Sequence, residues 1–352
     1  MTLPTRRATL AILMAMLAAL LTLGLAACGD DDGGGDASTA ETTAAGGAAL
    51  PSMTEATLIL DFLPGGVHAG IYRAQAQGYY EANNIDLEII QPTSTADTLK
   101  LIDAGQADFG IADGIDLANQ IAEGREAKAI GALVQVPLGG LIAREDSGIT
   151  DPAQFEGKTI GVTGVPSDNA IYETIISDAG GDPSAAKVVT IGFNGVQNLE
   201  SGKIDAFTGF WPSDGVQVQQ DGYPTTIFRL DEYGGPAYPG LVIFSTESKI
   251  ASDPALMAAF MDATVRGYDE TIADPDAALA DLLAEEPTLD PELTKAILDT
   301  YVPLFQGDAP AFGVMDTAKL EELSTFLVDN GLIEEPIAPD RYGTNEFLPA
   351  GD

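Results

Sequence analysis

The chain has 352 residues, with 16 Lys and Arg against 54 Asp and Glu, a formal net charge of −38, and a single histidine, tryptophan and cysteine. Such a field repels polyanions and excludes a nucleic-acid role, while one Cys with one His excludes an intrachain disulfide, a Cys/His zinc cage and a His₃ metal site. Carboxylate-only sites for Ca²⁺ or Mg²⁺ stay open, and at 45% hydrophobic residues the chain folds, with a length that suits about two folding units.

Thr5-Arg6-Arg7 precedes an uncharged apolar run over 8–27 that ends Leu25-Ala26-Ala27-Cys28. A basic start, an apolar middle and small residues before a cleavage point make 1–27 a signal peptide rather than a membrane-spanning anchor. Leu-Ala-Ala-Cys resembles the bacterial lipobox, which implies lipidation of Cys28. Loss of Arg6 and Arg7 then leaves a mature charge of 14 − 54 = −40. Residues 29–52 are mostly Gly, Asp, Ala, Thr and Ser with no aromatic. They cannot bury enough surface to offset their ordering entropy, so 28–55 is expected to be a flexible tether from a lipid anchor on the extracytoplasmic face of the membrane.

From residue 56 the pattern alternates. A strand over 56–62, a helix over 66–83, a strand over 85–91, a helix over 95–104 stopped by Gly105 and a strand over 108–112 form a βαβαβ order. This predicts a parallel sheet whose ligands bind beyond the carboxyl ends of its strands, where Asp61, Phe62 and Asp113 stand. A second run comes later: a strand and turn over 159–164, a helix over 167–179, a strand over 187–192, a helix over 195–201, a strand over 206–211 and a helix over 213–220. The two runs share a local pattern. Gly105 and Gly202 each end a helix, and three residues later Asp108 and Asp205 open a buried strand, a match that the frequency of helix-ending glycines also permits by chance.

The fold class predicted is α/β with two lobes, each a mostly parallel sheet flanked by helices. The first lobe takes 56–142 and 240–352, the second 143–239. After a Pro/Gly-rich passage over 234–239, a strand over 240–245 returns to the first lobe and is followed by helices over 254–272, 276–284, 291–304 and 317–330. Crossings near 141–144 and 238–240 make a hinge.

The stretch Leu60-Asp61-Phe62-Leu63-Pro64-Gly65-Gly66-Val67-His68-Ala69-Gly70-Ile71-Tyr72 resembles the opening of solute-binding proteins for thiamine-pyrimidine precursors, relatives of the thiamine-pyrimidine synthases. Asp108-Phe109-Gly110, Phe155-Glu156-Gly157-Lys158-Thr159-Ile160-Gly161 and Phe210-Trp211-Pro212-Ser213-Asp214-Gly215 extend the resemblance over roughly 56–330. It implies a type II periplasmic-binding-protein fold. Three positions depart from the usual form: Phe62 replaces a tryptophan, Gly65 an asparagine and Asp214 a glutamate. By the same resemblance the synthases' lysine for pyridoxal phosphate and their substrate histidine fall at Ala112 and Asp116, and their cysteine-rich motif at 234–240, which has no cysteine. The expectation is therefore a protein that is not an enzyme and needs no cofactor.

The candidate ligand-binding residues are Asp61, Phe62, His68, Tyr72, Asp113, Gly164, Ser167, Trp211, Asp214 and Tyr238. Trp211 stacks a flat ring or packs in the core. Asp214 accepts from a ligand or caps its helix, with Ser213 the better cap. His68 packs or binds, and Asp61, ending a buried strand, needs a donor such as a ligand amine. Gly164 and Ser167 present N–H groups to a carbonyl or an anion, or merely cap. The chain shows no nucleophile elbow and no phosphate loop. Motifs, charge and leader together predict a monomeric, lipid-anchored binding component of an ABC importer, working with permease and ATPase subunits. Its cargo is a neutral or weakly cationic heteroaromatic nutrient, a thiamine-pyrimidine precursor first, with flavins and sulfonates as rivals. A pyrimidine-making enzyme and a sensory ectodomain are the readings from other classes.

Overall fold

The computed structural model describes residues 49–350, so the leader 1–27, Cys28 and most of the tether lie outside the described residues. The first elements in chain order are β1 (Thr54–Ile59), α1 (Ala69–Ala76), α2 (Tyr79–Ala82), β2 (Ile85–Ile90), α3 (Thr95–Asp103), β3 (Phe109–Asp113), α4 (Gly114–Ala122), β4 (Ala127–Val134) and β5 (Gly139–Arg144). Next come β6 (Thr159–Val162), α5 (Pro166–Asp178), β7 (Lys187–Thr190), α6 (Gly195–Glu200), β8 (Ala206–Phe210), α7 (Val216–Gln220), β9 (Thr225–Arg229) and β10 (Leu241–Thr246). The rest is helical: α8 (Glu247–Ser252), α9 (Pro254–Ala273), α10 (Pro275–Glu285), α11 (Pro291–Gln306), α12 (Thr317–Asp329) and α13 (Pro339–Tyr342).

These strands form two five-stranded sheets, ordered β2-β1-β3-β10-β4 and β7-β6-β8-β5-β9. β1 pairs in parallel with β2 and β3, and β6 does so with β7 and β8, whereas β10 and β5 run antiparallel to both of their neighbours. Each sheet is thus mostly parallel with one reversed strand. In both, the reversed strand is the one on which the chain arrives from the other lobe.

The Gly-to-Asp pattern recurs at the same place in both lobes. Gly105 and Gly202 hold φ of 66° and 68°, the left-handed conformation glycine adopts without a Cβ penalty. Three residues on, Asp108 accepts the Thr57 N–H at 2.9 Å, and Asp205 accepts the Thr159 N–H at 2.8 Å. Each aspartate also donates its own N–H to the carbonyl of that same residue, at 3.0 and 2.9 Å. A side chain and a backbone amide together therefore clamp the third strand of each lobe to its first.

Three sequence-based boundaries shift. The first crossing lies at 135–138 rather than 141–144, because β5 pairs only with β8 and β9 of the second sheet. The helix expected over 66–83 is broken: a 3₁₀ turn at Gly66–His68 leads into α1, and Gly78, with φ of 68°, separates α1 from α2. The folded part also begins before residue 56. Leu50 is buried, its N–H donates to the Asn83 carbonyl at 3.0 Å, and the Asn84 amide donates to its carbonyl at 2.6 Å.

The helical tail packs mainly on the first lobe, with α9 and α10 against α1 and with α12 and α13 against α4 and β4, respectively. The α1–α9 crossing is close. A Cβ on Gly267 would meet the Gly70 carbonyl oxygen at 2.1 Å, and one on Gly70 would meet the Tyr268 ring at 2.4 Å. Helix α11 touches both lobes: β4 and the 66–68 turn on one side, α7 and the π-helical turn Trp211–Gly215 on the other.

Candidate functional site

The carboxyl ends of β1, β3, β6 and β8 converge from the two lobes on a cavity of about 310 Å³, with α11 as its third wall. Across the opening Phe62 of the first lobe meets Phe193 of the second edge to face, ring centroids 4.2 Å apart.

Beyond the end of β1, Asp61 and His68 form a buried pair. His68 Nδ1 accepts the Gly65 N–H at 3.2 Å, which places the proton on Nε2, and Nε2 donates to Asp61 at 2.9 Å. Both polar atoms of the histidine are thereby used in orienting the aspartate.

Asp113 ends β3 and caps α4, with Oδ1 accepting the Ile115 N–H at 2.7 Å. Its Oδ2 is buried and has no partner. Burial, reinforced by the charge of Asp116, holds this carboxyl well above the usual carboxylate range. Asp116, in the first turn of α4, reaches the second lobe and accepts the Ser167 N–H at 2.9 Å and its hydroxyl at 3.0 Å. Burial pushes Asp116 up to about 7 against the pull of these two bonds, and the charge of Asp168 adds to the rise.

From the second lobe, Asp214 lies in the turn after β8 and accepts the Phe210 N–H at 2.8 Å. Burial lifts it to about 6. Gly209 makes room for it, since a Cβ there would stand 2.7 Å from Asp214 Oδ2. The Ser213 hydroxyl donates to the Phe210 carbonyl at 3.4 Å instead of capping the helix. From α11, Thr294, Ile297 and Tyr301 enter the wall, and the Tyr301 hydroxyl is buried without a partner.

The cavity therefore has apolar faces, including Ile111, Ile171, Phe193 and Ile297, and acceptors at both ends, while no Lys or Arg lines it among the described residues. Such walls suit a flat apolar ring and offer acceptors for N–H groups at its edge.

Of the sequence-derived candidates, Asp61, Phe62, His68, Asp113, Ser167 and Asp214 come together here. Four do not line the cavity. Trp211 turns toward the first crossing, where Nε1 donates to the Pro137 carbonyl at 3.2 Å and the Arg229 guanidinium stacks on the ring at 4.3 Å. Tyr72 points the other way along α1 and donates to Glu286 at 3.0 Å. Tyr238 is fully buried behind Asp113, packed over Gly114. Gly164 gives its N–H to Asp168 at 2.7 Å.

Sequence reasoning missed Asp116 and Asp168 as wall residues; it placed a helix over 291–304, where α11 stands, but missed that this helix forms a wall of the cavity. Acidic residues in the first turns of α4 and α5 were visible, but such residues commonly just complement the helix dipole. On α11 the spacing of Leu293, Ile297 and Tyr301 reads as a core stripe, and only Thr294 interrupts it.

A family model described as "NMT1/THI5 like" matches residues 66–278, more than half the chain. The chain belongs to the NMT1/THI5-like family. It is 26% identical over 288 residues to the formylaminopyrimidine-binding protein of Halalkalibacterium halodurans, covering 80% of this chain and 87% of that one. It is 28% identical to the 4-amino-5-hydroxymethyl-2-methylpyrimidine phosphate synthase of Legionella pneumophila, covering 84% of this chain and 93% of that one. Its fold matches the periplasmic aliphatic sulphonate binding protein SsuA of Escherichia coli with a TM-score of 0.67 at 12% identity, over 86% of this chain and 95% of that one. The architecture is thus the type II periplasmic-binding fold. Within this NMT1/THI5-like chain, Ala112 and Asp116, the positions where resemblance puts the synthases' lysine and histidine, both line the cavity.

Proposed function

We propose that this protein is the extracytoplasmic solute-binding component of an ABC importer, and that it captures an amine-bearing heteroaromatic nutrient, a thiamine-pyrimidine precursor, by closing its lobes on the ring. The observation that carries this reading is Asp113 Oδ2, a buried acceptor without a partner at the end of an apolar cavity. An unpaired buried carboxylate is costly, and an exocyclic amine or ring N–H would relieve that cost. Relatedness to a formylaminopyrimidine-binding protein supports the same ligand class.

A binding role rather than a synthase role is supported by the walls themselves. Among the described residues no lysine lines the cavity to form an imine with pyridoxal phosphate. The volume of about 310 Å³ sits at the small end of ligand pockets, which favours a single ring over a three-ring flavin. Lipidation at Cys28 would keep the protein at the membrane beside its permease and ATPase. Among the described residues no helix is long and apolar enough to cross a membrane.

The test is isothermal titration of the folded chain with formylaminopyrimidine, 4-amino-5-hydroxymethyl-2-methylpyrimidine, riboflavin and taurine. Binding of a pyrimidine and neither of the others is expected; binding of riboflavin or taurine alone would overturn the assignment. Asp214→Asn and Asp113→Asn should each weaken the pyrimidine by about 10- to 100-fold, the range for a hydrogen bond to a charged group. Trp211→Ala should change affinity far less and lower the unfolding temperature instead, because its contacts lie at the crossing. Loss of affinity in Trp211→Ala with none in Asp214→Asn would move the site.

A further inference from the structure

Helix α5 points its N-terminus at the cavity, and the unsatisfied N–H groups of a helix start form a ready site for an anion. In this protein they are already taken. Asp168, buried in the first turn of α5, accepts the N–H groups of Thr163, Gly164 and Val165 at 3.2, 2.7 and 2.9 Å. It also accepts the hydroxyls of Thr163 and Thr208. Pro166 has no N–H, and the N–H of Ser167 goes to Asp116 of the other lobe at 2.9 Å. Every backbone donor from 163 to 167 is thus bound to a carboxylate of this chain, and both carboxylates line the cavity. Two polar atoms of the wall are left open, the Tyr301 hydroxyl on α11 and Asp113 Oδ2, the latter on a residue only 6% exposed, and an ionised carboxylate oxygen takes donors or cations only.

We infer that Asp116 and Asp168 are specificity-determining residues: they fill the anion position at the start of α5 with the protein's own carboxylates, so the cavity takes the neutral or protonated ring and rejects its phosphate ester and sulfonates. This deepens the binding role proposed above and rests on it. An incoming phosphate would have to displace a carboxylate that holds five hydrogen bonds. It would also stand beside Asp61, Asp113 and Asp214 with no Lys or Arg in the described wall to offset its charge. Discrimination is built here from a repulsive element, independent of the attractive contacts that hold the ring.

The test uses the folded chain and two readouts. Titration compares 4-amino-5-hydroxymethyl-2-methylpyrimidine with its phosphate ester, and thermal unfolding compares sodium sulfate with sodium chloride at equal ionic strength. The wild-type protein should prefer the unesterified ring by at least about 100-fold and gain nothing specific from sulfate. Asp168→Ala, which frees the loop amides, should cut that preference by at least about tenfold and acquire sulfate-specific stabilisation. Should Asp168→Ala fail to fold, Asp116→Ser leaves the α5 loop intact and frees the Ser167 donors, with the same direction expected. Equal wild-type affinity for ring and ester, or unchanged discrimination and no sulfate response in the folded variants, overturns the inference. If no form binds any pyrimidine, the ligand assignment above falls, while the sulfate comparison still decides whether these carboxylates mask an anion position.

Discussion

Gly267→Ala is expected to destabilise the protein by about 3 kcal/mol or more, read as a lower urea midpoint at unchanged slope. Alanine is the better helix former by about 1 kcal/mol, so helix propensity alone predicts a gain. Packing reverses the sign. The added Cβ would lie 2.1 Å from the Gly70 carbonyl oxygen, a backbone atom of α1 that cannot rotate away, and 2.7 Å from the Ala74 Cβ. Relief requires separating α1 from α9, and with α1 goes the preceding 66–68 turn, which carries His68. Gly65→Ala is the control, because the nearest atom to its Cβ would be 4.0 Å away. A Gly267→Ala protein as stable as the Gly65→Ala protein would show that the helices separate at no cost.

The ligand-free protein is expected to lose stability as pH rises from about 4 to about 7. Asp113, Asp116 and Asp214 all have folded-state values raised by burial, Asp214 to about 6 and Asp116 to about 7, whereas in the unfolded chain they titrate near 3.9. Between those limits the folded state keeps protons that the unfolded state has released. Stability from these groups is therefore fully present below about 4 and is lost as pH climbs through 6 and 7. Each pH unit that separates folded from unfolded titration is worth about 1.4 kcal/mol per group, so Asp214 and Asp116 contribute several kcal/mol between them and Asp113 adds in the same direction. Facing them are Asp61, His68, Asp168 and Asp290, with no Lys or Arg in the described wall to cancel the trend. Chemical unfolding at half-unit intervals of pH checks this. The Asp116→Asn protein should show a slope shallower by about one proton between pH 5 and 7, and stability that rises across the window would contradict it. A bound amine should flatten the dependence by supplying the donor that ionised Asp113 lacks.

The parallel half of each sheet is legible in the sequence because its signals are local and physical. Glycines end helices, a clamping aspartate comes three residues later, and β-branched runs such as Ile85–Ile90 read clearly as strands. The reversed half is harder. β4 and β5, Ala-Lys-Ala-Ile-Gly-Ala-Leu-Val and Gly-Gly-Leu-Ile-Ala-Arg, are rich in alanine and glycine, which carry little strand propensity, and both are almost wholly buried, so no alternation marks them. Helix α4 starts directly after β3 without a loop to announce it.

The site divides along the same line. Asp61, Asp113 and Asp214 are accessible to sequence reasoning because they end strands or sit in the turn after one, and the carboxyl ends of parallel strands are where ligands bind. Trp211 misleads because its residue type says nothing of its direction: one residue past β8 the backbone enters a π-helical turn, which aims the indole at Pro137. The role of Asp168 depends on loop amides folding back onto one carboxylate, and that geometry has no period in sequence.

The pinning of Leu50 has a mechanical consequence. The chain leading into the folded part is fixed to the α2–β2 corner through Asn83 and Asn84, so it leaves from the first lobe. A rotation about the two crossings leaves that attachment unstrained. If the lobes close on a ligand as proposed, the first lobe, which holds Leu50, is the stator, and the second, carrying Asp168, Phe193 and Asp214, is the jaw that would swing.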